Sequence, residues 1–183
     1  MSNYAKPNLF VSACIEFDSC RYDGTKISDD FVVRLKPFVN FIKTCPELMI
    51  GLSSPRESLR LIERKGEERK IVITSSGEDL TEKMDTFSAA YIKKLKTKNV
   101  DGFLLKAKSP SCGISNVRVY HGIGKAHTKS SKESGMFGGA IINNFPGYPI
   151  ENERRLSNYQ IRDRFFTEIF VYAEYREMRD GFK

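Results

Sequence analysis

Three of the four cysteines stand just past apolar runs that predict buried strands, where a thiol is presented rather than packed. In an open α/β sheet, ligands bind outside the carboxyl ends of the strands. If the three strands are parallel, the thiols converge on one spot, and three thiolates at strand ends suit an iron–sulfur cluster. The cysteines are Cys14, Cys45 and Cys112, and the runs before them are 9–13, 39–44 and 100–105.

The spacing of the cysteines leaves the chemistry of this site open. No Cys-x-x-Cys pair of the kind found in zinc ribbons and thioredoxins is present, so free semi-buried thiols and a structural metal site are the alternatives. A cluster held by three cysteines has one iron without a protein thiolate, and that iron can act on a substrate as a Lewis acid. Cys20, six residues after Cys14 in a polar loop, is either a fourth thiol of the site or a bystander.

Polar residues near the cysteines could take part in the chemistry. Glu47, two residues after Cys45, would lie at the rim of the site, where a carboxylate can act as a general acid or base, although a Glu after Pro also commonly starts a helix. Ser109 and Ser111 flank the third cysteine and can donate hydrogen bonds to an anion or a sulfur, or simply form the turn. Loop residues that could contact a substrate are Arg21, Asp23, Arg56 and Glu57.

The elements that must position these residues alternate between strand and helix patterns. This alternation predicts an α/β fold with a doubly wound, mostly parallel sheet. Apolar residues at steps of four and three over 80–95 predict a long helix, preceded by a capping box that begins at Ser76. A second amphipathic helix, capped by Ser157, is expected to end the chain.

Three segments carry weaker patterns. We expect 58–63 to form a helical turn and 117–120 to form an edge strand. The segment 121–139 is rich in Gly, Lys and Ser, contains both histidines and has no periodicity, so it predicts a long loop.

The composition is that of a globular domain, with 40% hydrophobic and 29% charged residues. The net charge of +7 at pH 7 favours anionic partners, nucleic acid included, although Lys and Arg are scattered rather than striped. No run approaches the roughly 18 apolar residues of a membrane span, and the first residues lack the pattern of a signal peptide. The sequence therefore predicts a cytoplasmic protein with reduced cysteines and no membrane partner.

Several short motifs, in order between residues 7 and 150, resemble the thiouracil desulfurase (TudS) family. The resemblance implies a Rossmann-like α/β domain, with a doubly wound sheet and an oxygen-sensitive 4Fe–4S cluster as its cofactor. The motifs are Val-Ser-Ala-Cys at 11–14, Arg-Tyr-Asp-Gly at 21–24, Cys-Pro-Glu at 45–47, Gly-Leu at 51–52, Pro-Arg at 55–56, Gly-Glu-Asp-Leu-Thr at 77–81 and Lys-Ser-Pro-Ser-Cys-Gly at 108–113.

The resemblance also implies roles for individual residues. Cys14, Cys45 and Cys112 would ligate the cluster, and its fourth iron would be open to the sulfur of the substrate. Glu47 matches the acid/base glutamate of the family and Ser109 its catalytic serine. The residues expected to bind the substrate are Ser12, Arg21, Asp23, Arg56 and Ser111.

The sequence thus predicts an iron–sulfur-dependent desulfurase that removes sulfur from a thiolated nucleobase such as 2-thiouracil by non-redox hydrolysis of the C–S bond. A small thiolated substrate is favoured over nucleic acid as the partner. Two alternatives stay open. One is a sulfur-handling enzyme that acts on thio-modified tRNA, which the charge of +7 and Lys125, Lys129 and Lys132 support. The other is a non-catalytic metal-binding module in which the thiolates are structural.

The chain departs from the family pattern in three places. Residues 15–19 are less apolar than the family's usual segment after its first cysteine, and Tyr-His-Gly at 120–122 replaces the usual Tyr-Asp-Gly. The segment from Arg154 onward resembles the start of a helical domain that is often fused to this family. We therefore expect a desulfurase-like domain over 1–150 and a helical extension over 151–183.

Overall fold

The computed structural model describes residues 4–181, and the strands within that range form two four-stranded sheets. In chain order the elements are β1 (Asn8–Ser12), α1 (Asp30–Leu35), β2 (Asn40–Thr44), α2 (Pro46–Met49), β3 (Leu59–Ile62), β4 (Lys70–Ile73), α3 (Thr81–Lys96), β5 (Gly102–Leu105), β6 (Val117–Tyr120), β7 (Thr128–Glu133), α4 (Met136–Asn144), β8 (Ile150–Asn152) and α5 (Tyr159–Gly181), with a 3-10 turn at Arg155–Ser157 before α5.

The first sheet is parallel throughout, in the order β2-β1-β5-β8. The second sheet has the order β4-β3-β6-β7 and is mixed, because only β3 and β6 are parallel. The prediction of an α/β fold with a mostly parallel sheet and a C-terminal helix is confirmed. The three strands that precede the cysteines are neighbours in the first sheet, so their carboxyl ends lie side by side.

Helices cover both faces of the parallel sheet. One face packs Phe10 and Phe103 against α3 and α4, which contribute the buried Met84 and Phe137. Burying these large side chains removes apolar surface from water, which is the main force that holds the layers together. On the opposite face the buried residues are Leu9, Val11 and Leu104 from the sheet, Val32 and Leu35 from α1, and Phe165 and Ile169 from α5.

The helix α5 is also tied to the sheet by charge. Arg176 forms an ion pair with Asp101 at 3.1 Å, and the same carboxylate accepts the backbone N–H of Asn8 at 2.7 Å. This buried network joins α5 to the loop before β5 and to the start of β1. The division of the chain at residue 150 stays a prediction. No helix within residues 4–181 combines the length and the apolar character needed to cross a bilayer.

The structure differs from the sequence prediction in the second sheet. Segment 58–63 contains β3 instead of a helical turn, and β6 lies between β3 and β7 instead of at an edge. The predicted loop 121–139 contains β7 and the start of α4. The strand β7 lies at the edge of the sheet and none of its side chains is buried, so its sequence shows no alternation of apolar and polar residues. Its pairing with β6 and the ion pairs of Glu133 with Arg69 and of Lys129 with Glu63 hold it in place.

Two predicted helix caps are also wrong. The helix α3 begins at Thr81, so the Ser76 hydroxyl accepts a turn N–H, that of Glu78, and not a helix N–H. The segment before α3 is held instead by a bridge between Asp79 and the strand β4. At α5 the N-terminal acceptor is the side chain of Asn158, which receives the N–H of Ile161.

Gly138 lets α4 lie against the turn that carries Cys112. Its N–H donates to the Ser111 carbonyl at 2.9 Å, and a Cβ at this position would overlap the carbonyl oxygens of Cys112 and Gly113. Gly138→Ala is therefore expected to lower the free energy of unfolding by about 1–3 kcal/mol, the usual cost of overpacking, as measured by urea unfolding. The control is Gly181→Ala, whose added methyl would meet no described atom within 4 Å. Identical midpoints for all three proteins would contradict the prediction.

Candidate active site

The four thiols of the chain line one cavity of about 240 Å³ at the carboxyl end of the parallel sheet. Cys14 lies two residues beyond β1, Cys45 follows β2 directly, and Cys112 lies in the turn after β5. Because these strands are adjacent and parallel, their ends bring together residues that are far apart in the sequence. Cys20, from the loop after β1, completes the set.

Local geometry explains why two of these thiols face the cavity. Cys45 has an extended backbone and Pro46 occupies the first turn of α2, so the chain changes direction at the cysteine. In the turn after β5, which carries Cys112, Lys108 has a left-handed backbone (φ 60°), which is uncommon for a residue other than glycine. The N–H of Gly113 then donates to the Ser109 carbonyl at 2.9 Å and closes the turn around Cys112.

The cysteine thiols shift one another's pKa values. Burial raises the pKa of the Cys112 thiol. A hydrogen bond with Cys20, together with burial, raises the pKa of Cys45. A hydrogen bond with Cys14 raises the pKa of Cys20 to about 11. These thiols therefore stay protonated at neutral pH unless a metal binds, because a coordinated thiol is deprotonated by the metal's charge.

Cysteine side chains are the donors that iron–sulfur clusters use. Within residues 4–181 no group of three or more His, Cys, Asp or Glu side chains is spaced to hold one metal ion. A cluster has several irons at separate corners, so it needs thiols placed around a cavity. Four cysteines around about 240 Å³, a volume of several water molecules at about 30 Å³ each, meet that need.

Glu47 is held at the cavity wall by partners on both of its oxygens. Arg56 Nε donates to Oε2 at 2.9 Å, and Ser111 Oγ donates to Oε1 at 2.7 Å. The side chains of Arg56 and Glu47 are only 7% and 13% exposed. The guanidinium of Arg56 also donates to the carbonyls of Cys20 and Ser53, each at 3.0 Å. The carboxylate is therefore fixed in orientation beside the thiols.

Two hydroxyl groups face the thiols in different ways. Ser109 Oγ accepts the N–H groups of Ser111 and Cys112 at 3.2 and 3.1 Å, and its own O–H has no acceptor within residues 4–181. That proton can therefore be donated into the cavity. Ser12 Oγ accepts the N–H of Lys106 at 3.0 Å and lines the same cavity as the Cys112 thiol.

The structure brings most of the predicted site residues together. Asp23 does not line the cavity; it pairs with Arg21 at 3.3 Å and accepts from Thr25, so it positions Arg21. Ser111 is fully buried behind Glu47. The exposed Glu57 also lies outside the lining. The roles of all these residues stay predictions. The predicted residues that line the cavity are Ser12, Cys14, Arg21, Cys45, Glu47, Arg56, Ser109 and Cys112.

Sequence reasoning missed a clamp on the turn after β5. Lys106 lines the cavity and forms an ion pair with Glu153 at 2.6 Å, and the other oxygen of Glu153 accepts the N–H of Ala107 at 2.7 Å. Glu153 follows β8, which is the neighbour of β5 in the sheet. No local signal in the sequence could reveal this contact across 46 or more residues. Tyr22 and Thr44 also line the cavity and were not singled out.

A second cavity, of about 720 Å³, adjoins the first. Its lining includes Arg60, Lys108 and Arg118 but no Asp or Glu, and none of these cations forms an ion pair within the described chain. Arg60 lies over the Tyr120 ring at 4.5 Å and donates to the Gly124 carbonyl. The residues that line both cavities are Ser58, Leu59, Lys108 and Pro110.

Comparisons with known proteins match most of the chain. The family model described as 2-thiouracil desulfurase matches residues 9–153. The uncharacterized protein YbbK of Bacillus subtilis (strain 168) is 31% identical over 156 residues, which is 82% of this chain and 98% of that protein. A solved structure, described as the 4Fe–4S-dependent thiouracil desulfidase TudS, is similar with a TM-score of 0.63 and 30% identity over 83% of this chain and 94% of that one.

Proposed function

The chain belongs to the 2-thiouracil desulfurase family, and we propose that it is an iron–sulfur-dependent desulfurase acting on a thiolated nucleobase such as 2-thiouracil. The observation that carries the proposal is the single cavity in which thiols from three adjacent parallel strands meet Glu47 and Ser109. The similarity to a 4Fe–4S-dependent thiouracil desulfidase supports the same cofactor here.

The reaction is a hydrolysis without electron transfer. The oxygen of water replaces the sulfur on the ring carbon, and the sulfur leaves as hydrogen sulfide. Cys14, Cys45 and Cys112 would hold a 4Fe–4S cluster. Such a cluster would supply a Lewis-acidic iron, which is the chemistry that polarises a carbon–sulfur bond.

Glu47 takes the proton of the attacking water. Its carboxylate lines the cavity beside the cysteines, and the hydrogen bonds from Arg56 and Ser111 fix its orientation. A base that is already oriented loses little freedom when the reaction begins, which is one source of catalytic advantage. Positioned proton transfer of this kind contributes about 10²–10⁴-fold to rate.

Ser109 relays a proton to the reacting ring or its departing sulfur and takes up in return, through water, the proton that Glu47 removed. The two backbone N–H groups that its oxygen accepts hold the side chain in place and leave the O–H as its remaining hydrogen-bonding group. Accepting two N–H bonds also polarises the hydroxyl and makes it a better donor. Ser109 and Glu47 therefore have complementary roles: the serine supplies a proton and the carboxylate removes one.

The test is sulfide release by the wild-type protein, purified without oxygen and loaded with iron and sulfide. With 2-thiouracil we expect hydrogen sulfide and uracil in equal amounts, with no added reductant or oxidant. Protein that holds its cluster but releases no sulfide from 2-thiouracil or another thiolated base would overturn the proposal.

Removal of sulfur from thio-modified tRNA is the second candidate, and the second cavity favours it. Arg60, Lys108 and Arg118 line this cavity without an acidic residue, and it shares lining residues with the cavity of the thiols. Unpaired cations beside the reacting base suit the phosphates of an RNA strand. In the same assay, activity on tRNA would fall steeply between 50 and 200 mM salt in that case, because phosphate contacts release counterions. Activity on free 2-thiouracil would change little.

A further inference from the structure

Tyr22 is an exposed aromatic residue at the cavity of the thiols. It contributes the one aromatic ring among the described residues that line this cavity, and it is 48% exposed. Large aromatic side chains elsewhere in the chain, such as Phe10, Phe103 and Phe137, are fully buried. An aromatic side chain left half in water at the wall of a cavity is available to a ligand.

The ring of Tyr22 makes few contacts that could stabilise the fold. Within residues 4–181 it packs against no other ring, belongs to neither apolar core, and its hydroxyl makes no hydrogen bond. Its charged neighbour is Arg21, whose guanidinium lies 5.7 Å from the centre of the ring. Removing the ring should therefore cost the fold little.

The backbone around Tyr22 is nevertheless fixed relative to the reacting groups. Its carbonyl accepts the N–H of Arg56 at 2.8 Å, and Arg56 is the residue that holds Glu47. The carbonyl of Arg21 accepts the Ser54 hydroxyl at 3.1 Å. A substrate ring stacked on Tyr22 would thus be held at a fixed position relative to the Glu47 carboxylate.

We propose that Tyr22 is a specificity residue whose ring stacks on the planar ring of the thiolated base. This inference rests on the proposed function and narrows the substrate class to heteroaromatic thiones, as opposed to open-chain thioamides. Stacking on an aromatic side chain tolerates any base because every base has a π-face. The contact exists before and during the reaction, so it lowers KM and leaves kcat unchanged.

The test compares Tyr22→Leu with Tyr22→Phe in the cluster-loaded enzyme. Tyr22→Leu should raise KM for 2-thiouracil about 5- to 150-fold, and Tyr22→Phe, which keeps the ring, less than about 3-fold. The dissociation constant of uracil, measured by equilibrium dialysis, should rise with KM, while kcat and iron content stay at wild-type values. The matched control is Tyr159→Leu, because Tyr159 is 69% exposed, has Arg162 at 5.8 Å from its ring and lies outside the cavity.

The outcomes separate the two proposals. Wild-type protein that holds its cluster but releases no sulfide overturns the proposed function, and this inference with it. An active wild type with an unchanged KM in Tyr22→Leu overturns the stacking role alone. Equal KM increases in the Leu and Phe variants would assign the effect to the hydroxyl and would also overturn it.

Discussion

The Cys112→Ala variant, purified without oxygen and reconstituted, is expected to hold almost no iron or sulfide, where the wild type holds about four of each per chain. Cys112 is buried at the cavity, and its turn is closed by Ser109 and packed against α4. Between β5 and β6, Cys112 is the one cysteine of the chain, and it lines the cavity. Desulfurase activity should disappear with the metal. Iron and sulfide analysis with a visible spectrum measures the effect.

The control for this prediction is Cys20→Ala. Cys20 lines the same cavity, but the proposed ligand set is Cys14, Cys45 and Cys112, so the control should keep its iron and sulfide. Loss of metal in Cys20→Ala would require a fourth ligand. Equal metal content in Cys112→Ala and wild type would remove Cys112 from the set. Zinc in place of iron, or no metal after anaerobic reconstitution of the wild type, would leave a structural thiol site without the proposed chemistry.

Glu47→Gln is expected to lower kcat by about 10²–10⁴-fold while iron and sulfide content stay unchanged. Glutamine has the shape of glutamate and can still accept from Ser111, but it cannot take a proton from water. Arg56 loses a carboxylate partner but keeps the carbonyls of Cys20 and Ser53 as acceptors, so the loop should persist. Steady-state sulfide release and thermal unfolding, measured on the same preparation, separate the catalytic effect from any loss of stability.

The matched control is Glu57→Gln. Glu57 is the neighbour of Arg56 in sequence, is exposed and lies outside the cavity lining, so the same chemical change there should leave turnover at the wild-type level. Full activity in Glu47→Gln would show that this carboxylate is not the base. In a binding module without catalysis, neither variant would differ from wild type in any measured property.

Much of the site could be predicted from the sequence because its determinants are local. Apolar runs that end in Ser-Pro-Ser-Cys or lead to Cys-Pro mark a strand, a turn and a presented thiol within a few residues. The rule that parallel strands offer their carboxyl ends to ligands then predicts that the thiols meet, and the structure brings them to one cavity. The motifs that resemble the thiouracil desulfurase family lie in the same short segments, and the resemblance is confirmed by the match over 9–153.

The second sheet could not be predicted in the same way. The strand β7 is held by pairing with β6 and by ion pairs to distant residues, so its own sequence carries no periodic signal. The segment 58–63 has too few residues for its apolar positions to distinguish strand from helix, and its strand conformation follows from neighbours on both sides. Such elements take their conformation from contacts that form only when the chain has folded.

The thiols, Glu47 and Ser109, whose chemistry is proposed above, could be picked out from residue types and spacing alone. How these side chains are supported became visible only in the folded chain. It paired Glu47 with Arg56 and Ser111, clamped the turn after β5 with Glu153, and placed Tyr22 at the cavity wall. These contacts join residues on different elements. Sheet order and loop path set their distances, and neither is encoded in the spacing of residues along the chain.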